Sequence, residues 1–196
     1  MAQRTRIVFI LYPRLTQLDF TGPYEVLARV PNTEVIIASK DGGELPTEMG
    51  LTFANLAKLA DIDRADMIMI PGGPGQTAAM LDPGFMGQGK RLGESAKYLT
   101  SVCTGSLILG AAGLITGKRA GSHWAYRELL PAFGAIPDDA RVVRDVKLPQ
   151  LRVAVHRQQL VEHRRIARGS LELRRREVRE QALQRRGSIE AVEMPL

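Results

Sequence analysis

Short apolar runs that each end at a turn residue are the feature that most constrains the fold of this chain. Residues 6–12 (RIVFILY) are apolar after the first residue and stop at Pro13, and Met67–Ile70 (MIMI) stops at a Pro-Gly-Gly turn. Residues 35–38 and Tyr98–Val102 are two further predicted strands. Strands that are apolar on both sides are typical of a parallel sheet covered on both faces.

Helix signals alternate with these strands. Residues 18–30, 89–96, 105–112 and 124–130 favour helices, and Gly113 ends the third of them. Strands that alternate with helices through short loops indicate βαβ units. The sequence therefore predicts an α/β fold, a parallel sheet with helices on both faces.

The last quarter of the chain differs from the rest. We assign residues 1–145 to one α/β domain and residues 146–196 to an Arg-rich tail, helical or disordered. Residues 151–196 contain eleven Arg and no Lys, and residues 134–196 contain no Phe, Tyr or Trp. Of the net charge of +6, +5 comes from residues 134–196, which hold 14 basic and 9 acidic side chains. An arm for nucleic acid is one interpretation of this charge, but we favour a solvated tail and expect no nucleic-acid partner.

Composition excludes several classes of protein. A single cysteine is incompatible with an internal disulfide framework or a Cys-rich zinc site. No spacing of His, Cys and carboxylates resembles a metal site. No apolar run approaches the ~20 residues of a membrane span, and the first residues do not resemble a signal peptide. We therefore expect a soluble, cytoplasmic protein with no membrane partner.

The single cysteine gives the strongest functional signal. Cys103 follows a predicted buried strand and precedes Thr104, Gly105 and a helix of small residues. A side chain at such a turn projects above the carboxyl edge of the sheet, where open α/β sheets build their sites. The positive field of the helix N-terminus is expected to favour a thiolate there. The alternative is a small buried hydrophobic residue, which is what most lone cysteines are.

A glycine-rich loop, residues 71–75 (PGGPG), also lies between a strand and a helix. The backbone N–H groups of Gly72 and Gly73 could face a developing negative charge, as in an oxyanion hole. The loop lacks the Lys-Ser/Thr of a phosphate loop and does not match the GxGxxG fingerprint. A simple turn is the alternative.

Two other side chains are candidates for chemistry. Asp19 lies between Leu18 and Phe20, so we expect it to be partly buried, with a raised pKa that suits proton transfer. An N-cap for the following helix is its alternative role, and the two roles can coexist. His123 could pair with a thiolate, although a packed structural histidine beside Trp124 is the favoured interpretation.

Three segments resemble the ThiJ/PfpI superfamily, and within it the isonitrile (isocyanide) hydratases. They are residues 18–27 (LDFTGPYEVL), 69–75 (MIPGGPG) and 101–130 (SVCTGSLILGAAGLITGKRAGSHWAYRELL). The resemblance covers residues 6–145. It implies a flavodoxin-like sheet, as in class I glutamine amidotransferases, and a homodimer with its site near the interface.

The resemblance also implies a reaction, the hydration of an isocyanide to an N-substituted formamide without metal or organic cofactor. Cys103 matches the family nucleophile, and Asp19 matches the acidic residue that hydrogen-bonds it. Thr104 matches the residue after the nucleophile, whose N–H joins those of Gly72 and Gly73 around the substrate. The implied steps are addition of Cys103 to the isocyanide carbon, a thioimidate, and its hydrolysis. Thr104 replaces the His that follows Cys in the related proteases, which argues against proteolysis.

Two alternatives belong to other classes of protein. The first is the amidase-like ligand-sensing domain of AraC-type transcription regulators, which needs about 100 further residues with a helix-turn-helix. The second is a redox-responsive protective relative in which Cys103 is oxidised reversibly.

The chain departs from the family after residues 141–145 (RVVRD), which we assign to a strand. Hydratases continue with a Gly-rich turn, a threonine-bearing strand end and a helix, whereas here the chain reads VKLPQLRVAVHRQQLVEHRR. A frameshift in a GC-rich gene, or complete divergence, would produce this change. Loss of a terminal strand and helix uncovers apolar sheet surface, and ~400 Å² of it at about 25 cal/mol per Å² corresponds to ~10 kcal/mol. Unless a helix of the tail covers that face, we therefore expect weak stability or aggregation, with a thermal midpoint below ~55 °C.

Overall fold

A sheet of eight strands is the centre of the fold. The computed structural model describes residues 4–148 and 151–156, together with Arg176, Arg179 and Glu180. In chain order the strands are β1 (Thr5–Leu11), β2 (Thr33–Ser39), β3 (Gly43–Pro46), β4 (Thr52–Lys58), β5 (Met67–Ile70), β6 (Tyr98–Val102), β7 (Arg119–Ala120), β8 (Ile136–Pro137), β9 (Val142–Leu148) and β10 (Leu151–His156).

The order of the strands is β3-β4-β2-β1-β5-β6-β10-β9. The six strands from β4 to β10 in this order are parallel, whereas β3 and β9 pair antiparallel at the two edges. β7 and β8 form a separate two-stranded pair. The predicted parallel α/β fold is confirmed, with antiparallel edge strands that the sequence analysis does not include.

Helices cover both faces of the sheet. The ring of Phe20 packs edge-on against Phe9 of β1, with centroids 5.3 Å apart. On the other face, Gly93 lies against Ile68 of β5. Ile68 faces away from Phe9, because it is next to Met69, the residue of β5 that pairs with Phe9. The helical segments are α1 (Gln17–Leu27), α2 (Gln76–Leu81), α3 (Pro83–Ser95), α4 (Gly105–Ala111) and two 3₁₀ segments, Leu59–Asp61 and Arg127–Phe133.

Strand β1 lies deep in the core. The side chains of Val8, Phe9, Ile10 and Leu11 are completely inaccessible to solvent. Continuous burial requires helices above and below the strand, so the apolar run predicts this environment correctly.

The strand order reverses beside β1, and this reversal positions the candidate site. From β1 the chain passes through α1 to β2 on one side, and it later returns to β5 on the other side. The loops after β1 and β5 therefore diverge from one crevice at the carboxyl edge of the sheet. Such topological switch points are where open α/β sheets bind ligands.

Several predicted elements differ in their bounds. α1 ends at Leu27 rather than at residue 30, and its N-cap is Thr16 rather than Asp19. The predicted helix 124–130 is instead the 3₁₀ segment Arg127–Phe133, whose Pro131 lacks the N–H of a regular helix. Strands β3 and β4 are missing from the sequence analysis, because their burial follows no regular alternation.

The sheet continues beyond residue 145, where we place the end of the family-like domain. β9 extends the predicted strand at residues 141–145, and β10 returns from it to pair with β6, Ala154 opposite Thr100. The rest of the predicted tail lies outside the described residues, except for Arg176, Arg179 and Glu180, which are helical. Among the described residues no helix has the length and hydropathy needed to cross a bilayer.

Candidate active site

Cys103 occupies the sharp turn between β6 and α4. Its backbone adopts the left-handed conformation, with φ of +56°, which costs a non-glycine residue about 1–2 kcal/mol. The Cys103 carbonyl accepts the His123 N–H at 3.1 Å and the Ser122 hydroxyl at 3.2 Å. The turn lies close to β5, since a Cβ on Gly105 would lie 2.2 Å from the Ile70 carbonyl oxygen. The structure thus places Cys103 at the strand–helix turn that the sequence predicts.

Asp19 brings a buried carboxylate to this turn. It lies in the first turn of α1 and is only 1% exposed. Its Oδ2 accepts the Gly72 N–H at 3.2 Å, and the carboxylate interacts with the Cys103 side chain. A Cβ on Gly72 would lie 2.6 Å from Cys103 Cβ and 2.9 Å from Asp19 Oδ2. Three segments distant in sequence therefore meet at one point.

The two acidic groups shift each other's ionisation. Burial raises the pKa of Asp19 to about 6, against the opposing effects of the Cys103 and Gly72 hydrogen bonds. Burial, and then the negative charge of Asp19, raise the pKa of the Cys103 thiol far above its usual range. The expectation that the helix field favours a thiolate is therefore wrong for the resting site. At neutral pH the pair consists of an ionised Asp19 and a neutral thiol.

Thr104 adds the hydrogen bonds that oppose this effect. Both its backbone N–H and its hydroxyl stabilise the ionised form of Cys103 and so lower the pKa of the thiol. Thr104 is 4% exposed, and its Oγ1 also accepts the Gly73 N–H at 3.1 Å. These two Thr104 groups therefore stabilise the Cys103 sulfur when it carries a negative charge.

The glycine-rich loop is built into the site through its backbone. Gly73 has φ of +139°, and a Cβ there would lie 2.5 Å from the Thr16 backbone nitrogen. The N–H groups of Gly72 and Gly73 donate to Asp19 and Thr104, so both position side chains of the site. Their predicted contact with a substrate stays a prediction.

Two residues of the site were missed by the sequence analysis. Tyr12 is 1% exposed, and its hydroxyl donates to the Pro71 carbonyl at 2.9 Å. Glu48 accepts a hydrogen bond from the Thr16 hydroxyl at 3.1 Å, and its charge contributes to the raised pKa of Asp19. The position of Tyr12 directly after β1, at the carboxyl edge, is a signal that could have found it. No comparable signal marks Glu48.

His123 contacts Cys103 through its backbone. Its N–H binds the Cys103 carbonyl, while Nδ1 accepts the Ala125 N–H at 3.3 Å. The ring lies beside Trp124 and Tyr126, with centroids 5.4 and 6.0 Å away. These contacts agree with the packed structural role that the sequence analysis favours. Within the described part of the chain, no group of three or more His, Cys, Asp or Glu is arranged to hold a metal ion.

An apolar groove of about 670 Å³ begins at Asp19. It lies between α1 and the sheet and is lined by side chains that include Leu18, Met69 and Arg144. Of the site residues described above, Asp19 lines this groove and Cys103 does not.

The sequence that builds this site matches a known family. The sequence profile of the DJ-1/PfpI family matches residues 5–150. The chain belongs to the DJ-1/PfpI family. The match includes Asp19, the glycine-rich loop and Cys103, and it ends within the hairpin of β9 and β10.

Individual relatives of this family carry different names. Isonitrile hydratase from Pseudomonas putida is 46% identical over 143 residues, which cover 73% of this chain and 63% of that protein. The HTH-type transcriptional regulator CdhR from Pseudomonas aeruginosa is 27% identical over 133 residues, covering 63% of this chain and 39% of the regulator. The crystal structure of a ThiJ/PfpI family protein from Pseudomonas syringae superposes with a TM-score of 0.72 at 36% identity, covering 78% of this chain and 62% of that chain. The present chain thus spans less than two thirds of each.

Proposed function

We propose that this protein hydrates an isocyanide to an N-substituted formamide, with Cys103 as nucleophile and Asp19 as proton carrier. The observation that carries the proposal is the close approach of Asp19 and Cys103, since a Cβ on Gly72 would lie 2.9 Å from Asp19 Oδ2 and 2.6 Å from Cys103 Cβ. The similarity to isonitrile hydratase supports the choice of substrate. The apolar groove beside Asp19 suits a substrate whose substituent is hydrocarbon.

The first step forms a carbon–sulfur bond. Asp19 accepts the thiol proton while the sulfur attacks the terminal isocyanide carbon, and Asp19 then passes that proton to the same carbon. The product is a thioimidate, R–N=CH–S–Cys103. A carboxyl group with a pKa of about 6 can both accept and release a proton near neutral pH.

The second step consumes water. Water attacks the thioimidate carbon, the nitrogen takes up one proton, and the carbon–sulfur bond breaks as the carbonyl forms. The other proton returns to the sulfur, so the enzyme is regenerated and R–NH–CHO leaves. Asp19 is the group placed to accept the proton of water in this step.

Thr104 and the two glycines support these steps. The Thr104 N–H and hydroxyl stabilise charge on the sulfur as the thiol proton leaves. Gly72 holds Asp19, and Gly73 holds Thr104. In this proposal, the N–H groups of Gly72 and Gly73 also face the substrate, as in the family that the chain resembles.

A turnover assay tests the proposal. Purified protein is mixed with cyclohexyl isocyanide, and N-cyclohexylformamide is measured for the wild-type protein, Cys103→Ala and Asp19→Asn. We expect formamide from the wild type and loss of at least about 100-fold in each variant. Tyr24→Phe, which removes a hydroxyl from the core outside the site, is the control that should retain activity. Equal turnover by wild type and Cys103→Ala would contradict the proposal.

Ligand sensing is the second candidate, favoured by the similarity to the regulator CdhR. A sensor needs the pocket but not the nucleophile. An isocyanide or amide that raises the thermal midpoint of both wild type and Cys103→Ala, without turnover by the wild type, would support this function instead.

Reversible oxidation of Cys103 gains no support from the site. Oxidation begins from the thiolate, and here burial and Asp19 raise the pKa of the thiol.

A further inference from the structure

The residues at the start of α1 match a capping box. Helix α1 begins at Gln17 with Thr16 as its N-cap, so Asp19 is the third residue of the helix. A threonine at the N-cap with an acidic residue three positions later is the pattern of this motif. In a capping box the N-cap hydroxyl accepts the N–H of the third residue, whose side chain in turn accepts the N–H of the N-cap.

Neither of these bonds joins Thr16 and Asp19, two residues that the structure describes. The Thr16 hydroxyl does not cap α1 and instead donates to Glu48 Oε2 at 3.1 Å. The Thr16 N–H donates to the Gly72 carbonyl at 2.9 Å, and Asp19 Oδ2 accepts the Gly72 N–H at 3.2 Å. The backbone of Thr16 is nevertheless extended, with φ of −78° and ψ of 111°, as an N-cap requires. The capping box is therefore open, although the backbone is ready to close it.

Glu48 is fixed beside Thr16 by backbone hydrogen bonds. The Glu48 N–H donates to the Leu15 carbonyl at 3.0 Å, and the Arg14 N–H donates to the Pro46 carbonyl at 3.0 Å. The turn after β3 therefore runs alongside the segment between β1 and α1. This pairing keeps the Glu48 carboxylate within reach of the Thr16 hydroxyl, although Glu48 is exposed.

Closing the capping box would remove a buried charge from the interior. Asp19 is 1% exposed, and burial raises the pKa of its carboxyl group to about 6. Thr16 is half-buried, so a carboxylate drawn back to the Thr16 N–H would lie nearer to solvent. The position of Asp19 beside Gly72 and Cys103 therefore competes with a favourable alternative.

We propose that Glu48 is a positioning residue for Asp19, since its carboxylate holds the Thr16 hydroxyl away from α1 and so keeps the capping box open. Without Glu48, the Thr16 hydroxyl accepts the Asp19 N–H, and the Asp19 carboxylate leaves Gly72 for the Thr16 N–H. The proposal rests on the proposed function, in which Asp19 accepts the proton of Cys103. Glu48 acts through Thr16 and needs no contact with substrate.

Three variants separate the hydrogen bond of Glu48 from its charge. Glu48→Ala removes both the acceptor and the charge, so the capping box closes. Glu48→Gln keeps an oxygen that accepts the Thr16 hydroxyl and removes only the charge, so the box stays open. Thr16→Val removes the oxygen that caps the helix, so adding Glu48→Ala in this background cannot close the box.

Alkylation of Cys103, the single cysteine of the chain, reports the position of Asp19 without any isocyanide. Burial, and then the negative charge of Asp19, raise the pKa of the Cys103 thiol, so the thiolate forms more easily when that carboxylate moves away. We expect iodoacetamide at pH 8 to alkylate Glu48→Ala about threefold faster than wild type, because lower basicity partly offsets a tenfold gain in thiolate. Glu48→Gln and the double variant of Thr16→Val and Glu48→Ala should stay within about twofold of wild type.

Thermal unfolding and turnover complete the test. A closed capping box stabilises a helix, so the thermal midpoint of Glu48→Ala should equal or exceed that of wild type. Its kcat for isocyanide hydration should fall about tenfold with little change in KM, because Asp19 no longer lies beside the thiol. Glu44→Ala, which removes an exposed carboxylate from β3, is the matched control and should change none of these quantities.

Three results would overturn the proposal. The first is an alkylation rate of Glu48→Ala that does not exceed that of wild type. The second is an acceleration that is equal in Glu48→Gln or persists in the Thr16→Val background, which would mean that the charge of Glu48 acts on Cys103 directly. The third is a thermal midpoint of Glu48→Ala well below that of wild type, or failure to fold, which would mean that Glu48 supports the fold.

The alkylation pattern also distinguishes this proposal from the proposed function. A protein that shows the expected alkylation rates but hydrates no isocyanide would contradict only the proposed function.

Discussion

The interior of β1 and the carboxyl edge just above it are equally buried but opposite in chemistry. Along β1, residues such as Val8 and Phe9 are apolar and completely inaccessible. At the edge, Asp19 and Thr104 are 1% and 4% exposed, and Cys103 has a left-handed backbone. Burial stabilises the folded state in the first region and destabilises it in the second. The difference shows that the strands stabilise the fold, whereas the edge contains strain and a buried charge, which are typical of functional sites.

Breaking the apolar region should have the largest effect on stability. Phe9→Ala removes a ring that packs against Phe20 and Tyr24, at 5.3 and 5.9 Å between centroids. We expect a loss of about 3–5 kcal/mol in the free energy of unfolding. Urea denaturation measures this loss. A loss below about 1 kcal/mol would mean that the stability of the domain does not depend on this interior.

Removing the buried charge at the edge should stabilise the protein while abolishing turnover. The pKa of Asp19 is raised from 3.8 to about 6, and a shift of two units corresponds to about 3 kcal/mol lost at pH 7. Because the folded-state pKa is raised, this loss is absent below about pH 4, develops between about pH 4 and 6, and is constant above. Asp19→Asn should therefore be more stable than wild type at pH 7 by up to this amount.

The pH dependence of stability provides the control for that variant. Urea midpoints of wild type and Asp19→Asn, measured from pH 4 to pH 7, should diverge as the pH rises through this range. Curves that stay parallel would show that Asp19 is not the group responsible.

Adding a side chain at Gly72 should reduce turnover more than it reduces the stability of the fold. A Cβ there would lie 2.7 Å from the Thr104 nitrogen and within 3 Å of Cys103 and Asp19. Because these atoms must shift, we expect Gly72→Ala to reduce turnover about 100-fold. Gly87→Ala is the matched control, since a Cβ at Gly87 meets nothing within 4 Å on α3. It should keep full turnover and gain up to about 1 kcal/mol of stability.

The smallest effect should come from relieving the strained backbone. Glycine adopts the left-handed conformation at position 103 without a Cβ clash. We expect Cys103→Gly to be more stable than Cys103→Ala by about 1 kcal/mol, since both lack the sulfur and only alanine keeps the strain. Thermal unfolding of the two variants measures the difference. Equal midpoints would show that the turn is not under strain.

The sequence predicts the apolar region better than the edge. Continuous apolar runs identify β1 and β5, because burial on both faces leaves a simple pattern in composition. The turn at Cys103 is predicted from the strand that ends just before it. The burial of Asp19 is predicted from its apolar neighbours, Leu18 and Phe20. Each of these inferences needs only the residues adjacent in the chain.

The properties that depend on distant segments could not be predicted. The raised pKa of Cys103 arises from Asp19, 84 positions earlier, and no local feature reports that the two groups meet. The hydrogen bond from Tyr12 to Pro71 joins the ends of two strands that become neighbours only through the strand order. Strand β10, which lies between β6 and β9, has no counterpart in the predictions, because it follows the change in composition after residue 145.

The proposed mechanism depends most directly on the transfer of the Cys103 thiol proton to Asp19. We would measure kcat/KM for formamide formation from cyclohexyl isocyanide between pH 4.5 and pH 9. Since Asp19 must be ionised to accept the thiol proton, the account predicts a rise centred near pH 6 and a plateau above it. A rate that rises only above about pH 8, as free thiol ionises, would contradict it, and so would an absence of formamide from folded protein.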